Sequence, residues 1–215
     1  MTDVAAVETR PCWRCGAEAG VGLVCPSCEA PQALPSGVDL FAILDLPRGL
    51  VIDAADLERR YHVASRAVHP DRHQTADARA RDLSLAAGAA VNRAYRTLRD
   101  PIAIGRYWLE LHGERLGKDN RVPPALAALV FETQGTLEEL RNAAASGPLR
   151  DRVTAVKDEL AGRLASLQAD LTAHYTQWSA ADSRAPTVIA ELKRRLSEIA
   201  YLCTLLADVD SALGD

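Results

Sequence analysis

The 215-residue chain carries 25 Lys and Arg against 29 Asp and Glu, a net charge of −4 with histidine neutral, and is 48% hydrophobic. That is enough apolar content for one medium or two small globular domains, and too little positive charge for a general nucleic-acid binder, which must displace counterions from phosphate. No apolar run approaches the roughly 18 residues of a membrane helix, and MTDVAAVETRP has neither the basic nor the apolar region of a signal peptide. Asp3 and Glu8 also argue against a mitochondrial presequence, so no membrane partner and a cytoplasmic, bacterial setting are expected.

Aromatics are sparse, alanine and leucine abundant, and no window alternates Val, Ile and Thr as strands do, so the expected class is all-α beyond the N-terminus. The first block, PCWRCGAEAGVGLVCPSCEAPQ, is rich in Gly, Pro and Cys and too poor in apolar residues to fold without a staple. DLFAILDL then predicts a short helix halted by Pro47. Asp53, with Asp56 three residues on, predicts an N-cap, and Leu57, Tyr61, Ala64 and Val68 share one face of the helix that follows, which Pro70 ends. Beyond the HPDRHQTAD loop, Leu83, Ala86, Ala90, Ala94 and Leu98 predict an antiparallel partner stopped at Asp100-Pro101, and IAIGRYWLELHG a short closing helix ending at Gly113.

After the linker GERLGKDNRVPP, one helix is expected from about Pro124 to Ser146, broken by Gly147-Pro148. Leu149, Val153, Val156, Leu160, Leu164, Leu167, Leu171 and Trp178 mark a second helix. Following a turn at AADSRAP, with Pro186 at a first turn, Ile189, Leu192, Leu196, Ile199, Cys203, Leu206, Val209 and Leu213 mark a third. Short connections make these an antiparallel three-helix bundle, with Cys203 a small core residue and no internal repeat anywhere in the chain. The expected modules are 1–36, 38–113 and 114–215.

Cys12-x-x-Cys15 and Cys25-x-x-Cys28 are paired knuckles, and an odd total of five cysteines in a reducing compartment favours a metal site over disulfides. Four thiolates close a tetrahedral coordination shell, which points to one structural Zn2+ with no open position for substrate; a thioredoxin-like redox pair and an iron–sulfur cluster are the alternatives. Basic residues near the knuckles are only Arg10 and Arg14, so a nucleic-acid use has little support.

VASRAVHPDRH places His69, Asp71 and His73 around Pro70. As metal ligands they straddle a helix end rather than sharing a face at i, i+4. As acid-base catalysts they lack a second positioned group, a nucleophile elbow or a phosphate-binding glycine loop. A polar loop beside a helix stop is the third reading. The wider pattern, LERRYHVASRAVHPDRH followed by LAAGAAVNRAYRTLRDP, resembles the J domain of DnaJ-type co-chaperones. That resemblance implies that His69, Pro70 and Asp71 engage a DnaK/HscA-class ATPase chaperone and stimulate its hydrolysis, with Arg66 and Arg72 beside them; Val63 stands where the family often has Lys or Arg. Proline restricts the backbone leaving the helix, which preorganises the flanking polar groups.

With RYWLELHG and the C-terminal bundle, the chain resembles the HscB-type J proteins of iron–sulfur cluster assembly, in the longer subgroup with a tetracysteine zinc domain. The resemblance implies a co-chaperone rather than an enzyme, delivering an IscU-type scaffold protein that docks on the bundle. By position in LVFETQGTLEELRNA and AYLCTLL, the scaffold-binding residues it implies are Val130, Phe131, Glu138 and Tyr201; Gln134 and Gly135 depart from the aliphatic and acidic residues expected there. Periodicity alone leaves Val130 and Phe131 open to a core role. A J protein with another client is the rival within the class, and a metal-dependent enzyme using His69, Asp71 and His73 the rival outside it.

Overall fold

The computed structural model describes residues 10–20, 22–73, 77–117, 122–142, 147–180 and 183–214, with backbone only at 73 and 180. These contain α-helices and no strand, as expected, and the chain divides into two compact units, 1–103 and 104–215.

In the first unit, Asp39 caps α1 (Leu40–Ile43) by accepting the Phe41 amide at 3.0 Å. The helix ends well before Pro47, because Leu44 closes it and Asp45 turns to φ +51. Asp53 caps α2 (Ala54–Ala67) through the Asp56 amide at 2.7 Å, as its spacing predicts. Asp77 caps α3 (Ala78–Arg99). The α2–α3 hairpin and α1 enclose Phe41, Leu44, Leu57, Val68, Val91 and Leu98.

The buried stripe of α3 is Ala80, Ser84, Ala87, Val91, Ala94 and Leu98, so its first half lies one position away from the predicted Leu83, Ala86 and Ala90. Small residues there let the helices approach closely, and leucine at 83 would not. Tyr61 stacks on Tyr95 with centroids 4.1 Å apart and donates to Asn92 Oδ1 at 2.9 Å, joining the helices midway.

α4 (Pro101–Leu111) follows, with Gly113 at φ +75 just past its end. In the second unit a short 3-10 turn at Pro124–Leu126 leads into α5 (Ala127–Asn142); the predicted end at Ser146 lies outside the described residues. Gly147 and Pro148 are the first residues of α6 (Gly147–Ala180), where proline's missing N–H costs nothing. Pro186 likewise opens α7 (Pro186–Leu213), and Gly214 at φ +81 ends it. Lys157–Asp210 at 2.8 Å and Arg150 to the Leu213 carbonyl at 2.9 Å tie the start of α6 to the end of α7, the antiparallel arrangement expected.

Val153, Leu160, Leu171, Leu192, Leu196, Ile199, Leu202 and Val209 form the centre of the bundle at 0% exposure. Cys203 is a correction: it is exposed, because the stripe passes through Leu202 and Leu205 instead. Glu198, 4% exposed, is tolerated through its ion pair with Arg194.

Candidate functional sites

The two knuckles are built alike. Cys12 N–H donates to the Ala17 carbonyl and Cys25 N–H to that of Ala30; Gly16 N–H returns to the Cys12 carbonyl and Glu29 N–H to that of Cys25. The backbone therefore repeats from Cys12 to Cys25, a duplication invisible in the side chains outside the cysteines. The four sulfurs lie within 4.8 Å of one another, with Cys12–Cys28 at 3.7 Å and Cys15–Cys25 at 3.8 Å. Both gaps far exceed a disulfide's roughly 2.05 Å. They match the edge of about 3.8 Å of a tetrahedron with metal–sulfur bonds of about 2.3 Å, so the donor set fits a four-coordinate metal ion.

The amides of Arg14 and Ser27 donate to Cys12 and Cys25 at 3.4 Å, and Gln32 Nε2 to Cys12 at 3.3 Å. Burial pushes Cys12 up and is its largest single influence. The Cys15 and Arg14 amides and the Cys28 and Cys15 thiols outweigh it and hold Cys12 at about 6. At Cys28 the Ala30 amide acts downward most strongly, but burial and the other three sulfurs push it up to about 12. At Cys25 burial again acts upward most strongly, but the Ser27 and Cys28 amides with the Cys15 thiol outweigh it and lower the thiol, so the downward shifts fall on Cys12 and Cys25 and the upward one on Cys28.

The His69-Pro70-Asp71 corner is set by α2. Its backbone stops at Ala67, and Pro70–His73 continues as a 3-10 turn. His69 and Asp71 project into solvent at 56% and 69% exposure, with His69 Nδ1 3.3 Å from the Asp71 amide and 3.4 Å from its carboxylate. The side chain of His73 lies outside the described residues. Beneath the corner, fully buried Ser84 donates to the Val68 carbonyl at 2.7 Å. Sequence reasoning missed Ser84; its signal was a lone hydroxyl at helical spacing between Ala80, Ala87 and Val91.

Arg66 is exposed and Arg72 pairs with Glu29 at 2.8 Å, whereas Arg60 is engaged by Asp56 and Asp45 at 3.0 and 2.8 Å. Val63 stands 66% exposed on the same helix.

On the bundle, Phe131 is 82% exposed and Glu138 is exposed, while Tyr201 is half-buried. Val130 is a core residue at 3% exposure, one position round the helix from Phe131, and presents no surface to a partner. Tyr201 lines an open groove of about 1220 Å³ with Gln134, Val122, Lys193, Ser197 and Leu205.

No protein-family model matches the chain. Curated proteins do: it is 32% identical over 161 residues to the human iron–sulfur cluster co-chaperone protein HscB, spanning 72% of this chain and 68% of that one. It is 30% identical over 161 residues to a co-chaperone protein HscB homolog of Paraburkholderia phymatum, spanning 74% and 90%. Among solved structures, human co-chaperone protein HscB superposes with a TM-score of 0.69 at 24% identity, covering 94% of this chain and 98% of that one. The chaperone HscB of Vibrio cholerae gives 0.57 at 20% identity, covering 81% and 96%. These two structures establish the likeness of fold.

Proposed function

The chain belongs to the HscB family of iron–sulfur cluster co-chaperones, and from that premise we propose how it performs the role and with which residues. As a co-chaperone it acts by binding. The partner is a DnaK/HscA-class ATPase, and the contact is the His69-Pro70-Asp71 corner with Arg66 and Arg72 alongside. The observation that carries this reading is the corner itself: two polar side chains project from a turn anchored by Ser84 to a buried helix end. Such a surface pays little conformational entropy on docking, and it accelerates hydrolysis by favouring the partner conformation in which hydrolysis proceeds.

The second partner is an IscU-type scaffold protein docking on the bundle through Phe131, Glu138 and Tyr201, with Val130 supporting the surface from the core. An aromatic as exposed as Phe131 is a natural anchor for an apolar pocket on a partner. Residues 38–113 are assigned to the chaperone and 114–215 to the scaffold.

Residues 1–36 form a module whose Cys12, Cys15, Cys25 and Cys28 bind one Zn2+. The ion supplies cross-linking energy to a segment with a four-residue core of Cys12, Ala19, Cys25 and Ala30, too small to fold alone. The setting is the cytoplasm.

The test is the steady-state ATPase of the chaperone with this protein, with and without scaffold. Stimulation by the wild type, greater with scaffold, and its loss on His69→Gln with the fold intact are the expected results. Equal stimulation by His69→Gln overturns the reading of the corner, and absence of synergy overturns the choice of client.

A further inference from the structure

We propose that Glu29, outside the signature corner, is a positioning residue through which the metal module braces that corner. The first observation is its backbone. In the repeated knuckles, the residue after the second cysteine must turn left-handed: Gly16 does so at φ +73, and its counterpart Glu29 does so at φ +54. Glycine enters that region without steric penalty, and a residue with an extended side chain does not. The second knuckle thus carries a carboxylate where the fold alone favours glycine.

The second observation is where the carboxylate goes. Glu29 Oε2 takes the Arg72 guanidinium at 2.8 Å, immediately beyond His69-Pro70-Asp71. A further contact reaches the start of α3: the Arg79 guanidinium lies 4.7 Å from the centre of the Trp13 ring. Trp13 is itself held by its indole N–H on the Pro31 carbonyl at 2.8 Å. The two knuckles therefore hold the chain at two points that follow the corner, Arg72 by charge and Arg79 by a cation over an aromatic face.

An exposed turn docks best when it does not have to be ordered during docking. The strained glutamate is the residue whose replacement separates bracing from folding. Glu29→Gly relieves the backbone and removes only the carboxylate, so the knuckle binds metal as before. Glu29→Gln keeps the backbone demand and removes the charge.

The inference rests on the corner being the chaperone contact, and the experiment reads the two separately. In the full-length metal-loaded protein, backbone amide order parameters and solvent exchange are measured by NMR. Both variants are expected to retain one metal per chain, to raise exchange at Asp71 and Arg72 about threefold, and to raise the chaperone concentration giving half-maximal stimulation about threefold. Wild-type protein stripped of metal is expected to show the same loosening at Asp71 and Arg72 while α2 and α3 stay protected. Unchanged exchange in Glu29→Gly, or an unchanged half-saturation where the wild type stimulates, overturns the brace. A wild type that does not stimulate at all overturns the chaperone reading instead, and leaves the exchange result to decide the brace.

Discussion

Ser84→Ala tests whether the corner is anchored from below. Ser84 is 0% exposed, and its hydroxyl donates at 2.7 Å to the carbonyl of Val68, itself 1% exposed, one residue before His69. Alanine leaves that carbonyl facing a gap of about one hydroxyl, short of the volume a replacement water requires. An unpaired buried acceptor costs about 1–3 kcal/mol. Alanine's better helix propensity returns about 0.5 kcal/mol, for a net loss of about 0.5–2.5 kcal/mol, with about 1.5 the central expectation. Because the two compact units need not unfold together, a single global midpoint is the wrong readout. Amide exchange within α2 and α3 is the direct one, and about 1.4 kcal/mol there is a tenfold loss of protection. Leu85→Ala is the control, since Leu85 is the next residue and 60% exposed; its effect should stay within about 0.5 kcal/mol. Equal protection in Ser84→Ala and wild type, or equal losses in Ser84→Ala and Leu85→Ala, would refute the anchoring argument.

Three further outcomes follow from the bundle and hairpin. A methyl at Gly105 would come within 2.2 Å of the Tyr175 hydroxyl and 3.2 Å of Leu196, so Gly105→Ala should destabilise the second unit by a net ~1 kcal/mol in denaturant unfolding, whereas Gly88→Ala, with open space around it, should stabilise α3 by up to about 1 kcal/mol. Phe131→Ala should leave bundle stability within about 0.5 kcal/mol while weakening scaffold binding about 30-fold in a calorimetric titration; Val130→Ala should instead cost stability, about 2 kcal/mol. The Arg194 side chain, by hydrogen bond and charge against opposing burial and with help from Arg195, holds the Glu191 carboxyl at about 2. Its folded value lies below its unfolded one, so its contribution is complete above about pH 4.5 and fades as pH falls towards 2. With Glu191 about one-third exposed, solvent screening keeps that loss to about 1 kcal/mol, and Glu191→Gln should flatten this limb in acid unfolding of the bundle.

What local chemistry controls was legible in the chain before any tertiary contact. The cap at Asp53, the proline start at Pro186 and the two knuckles follow from residues within a few positions of one another. The corner is legible for the same reason: a proline three residues past a helix end acts on its own backbone. The tertiary structure decided whatever depends on the angle at which one helix meets another. Periodicity identifies an apolar face only to within a residue's turn, about 100°, and that margin shifted the buried stripe of α3 onto Ser84, put Cys203 on the surface, and divided neighbouring Val130 and Phe131 between core and solvent. It also decided pairings between distant positions. Nothing around residue 29 announces Arg72 as its partner 43 positions away, because a long-range ion pair follows from where the fold brings two chain segments together, not from the spacing within either.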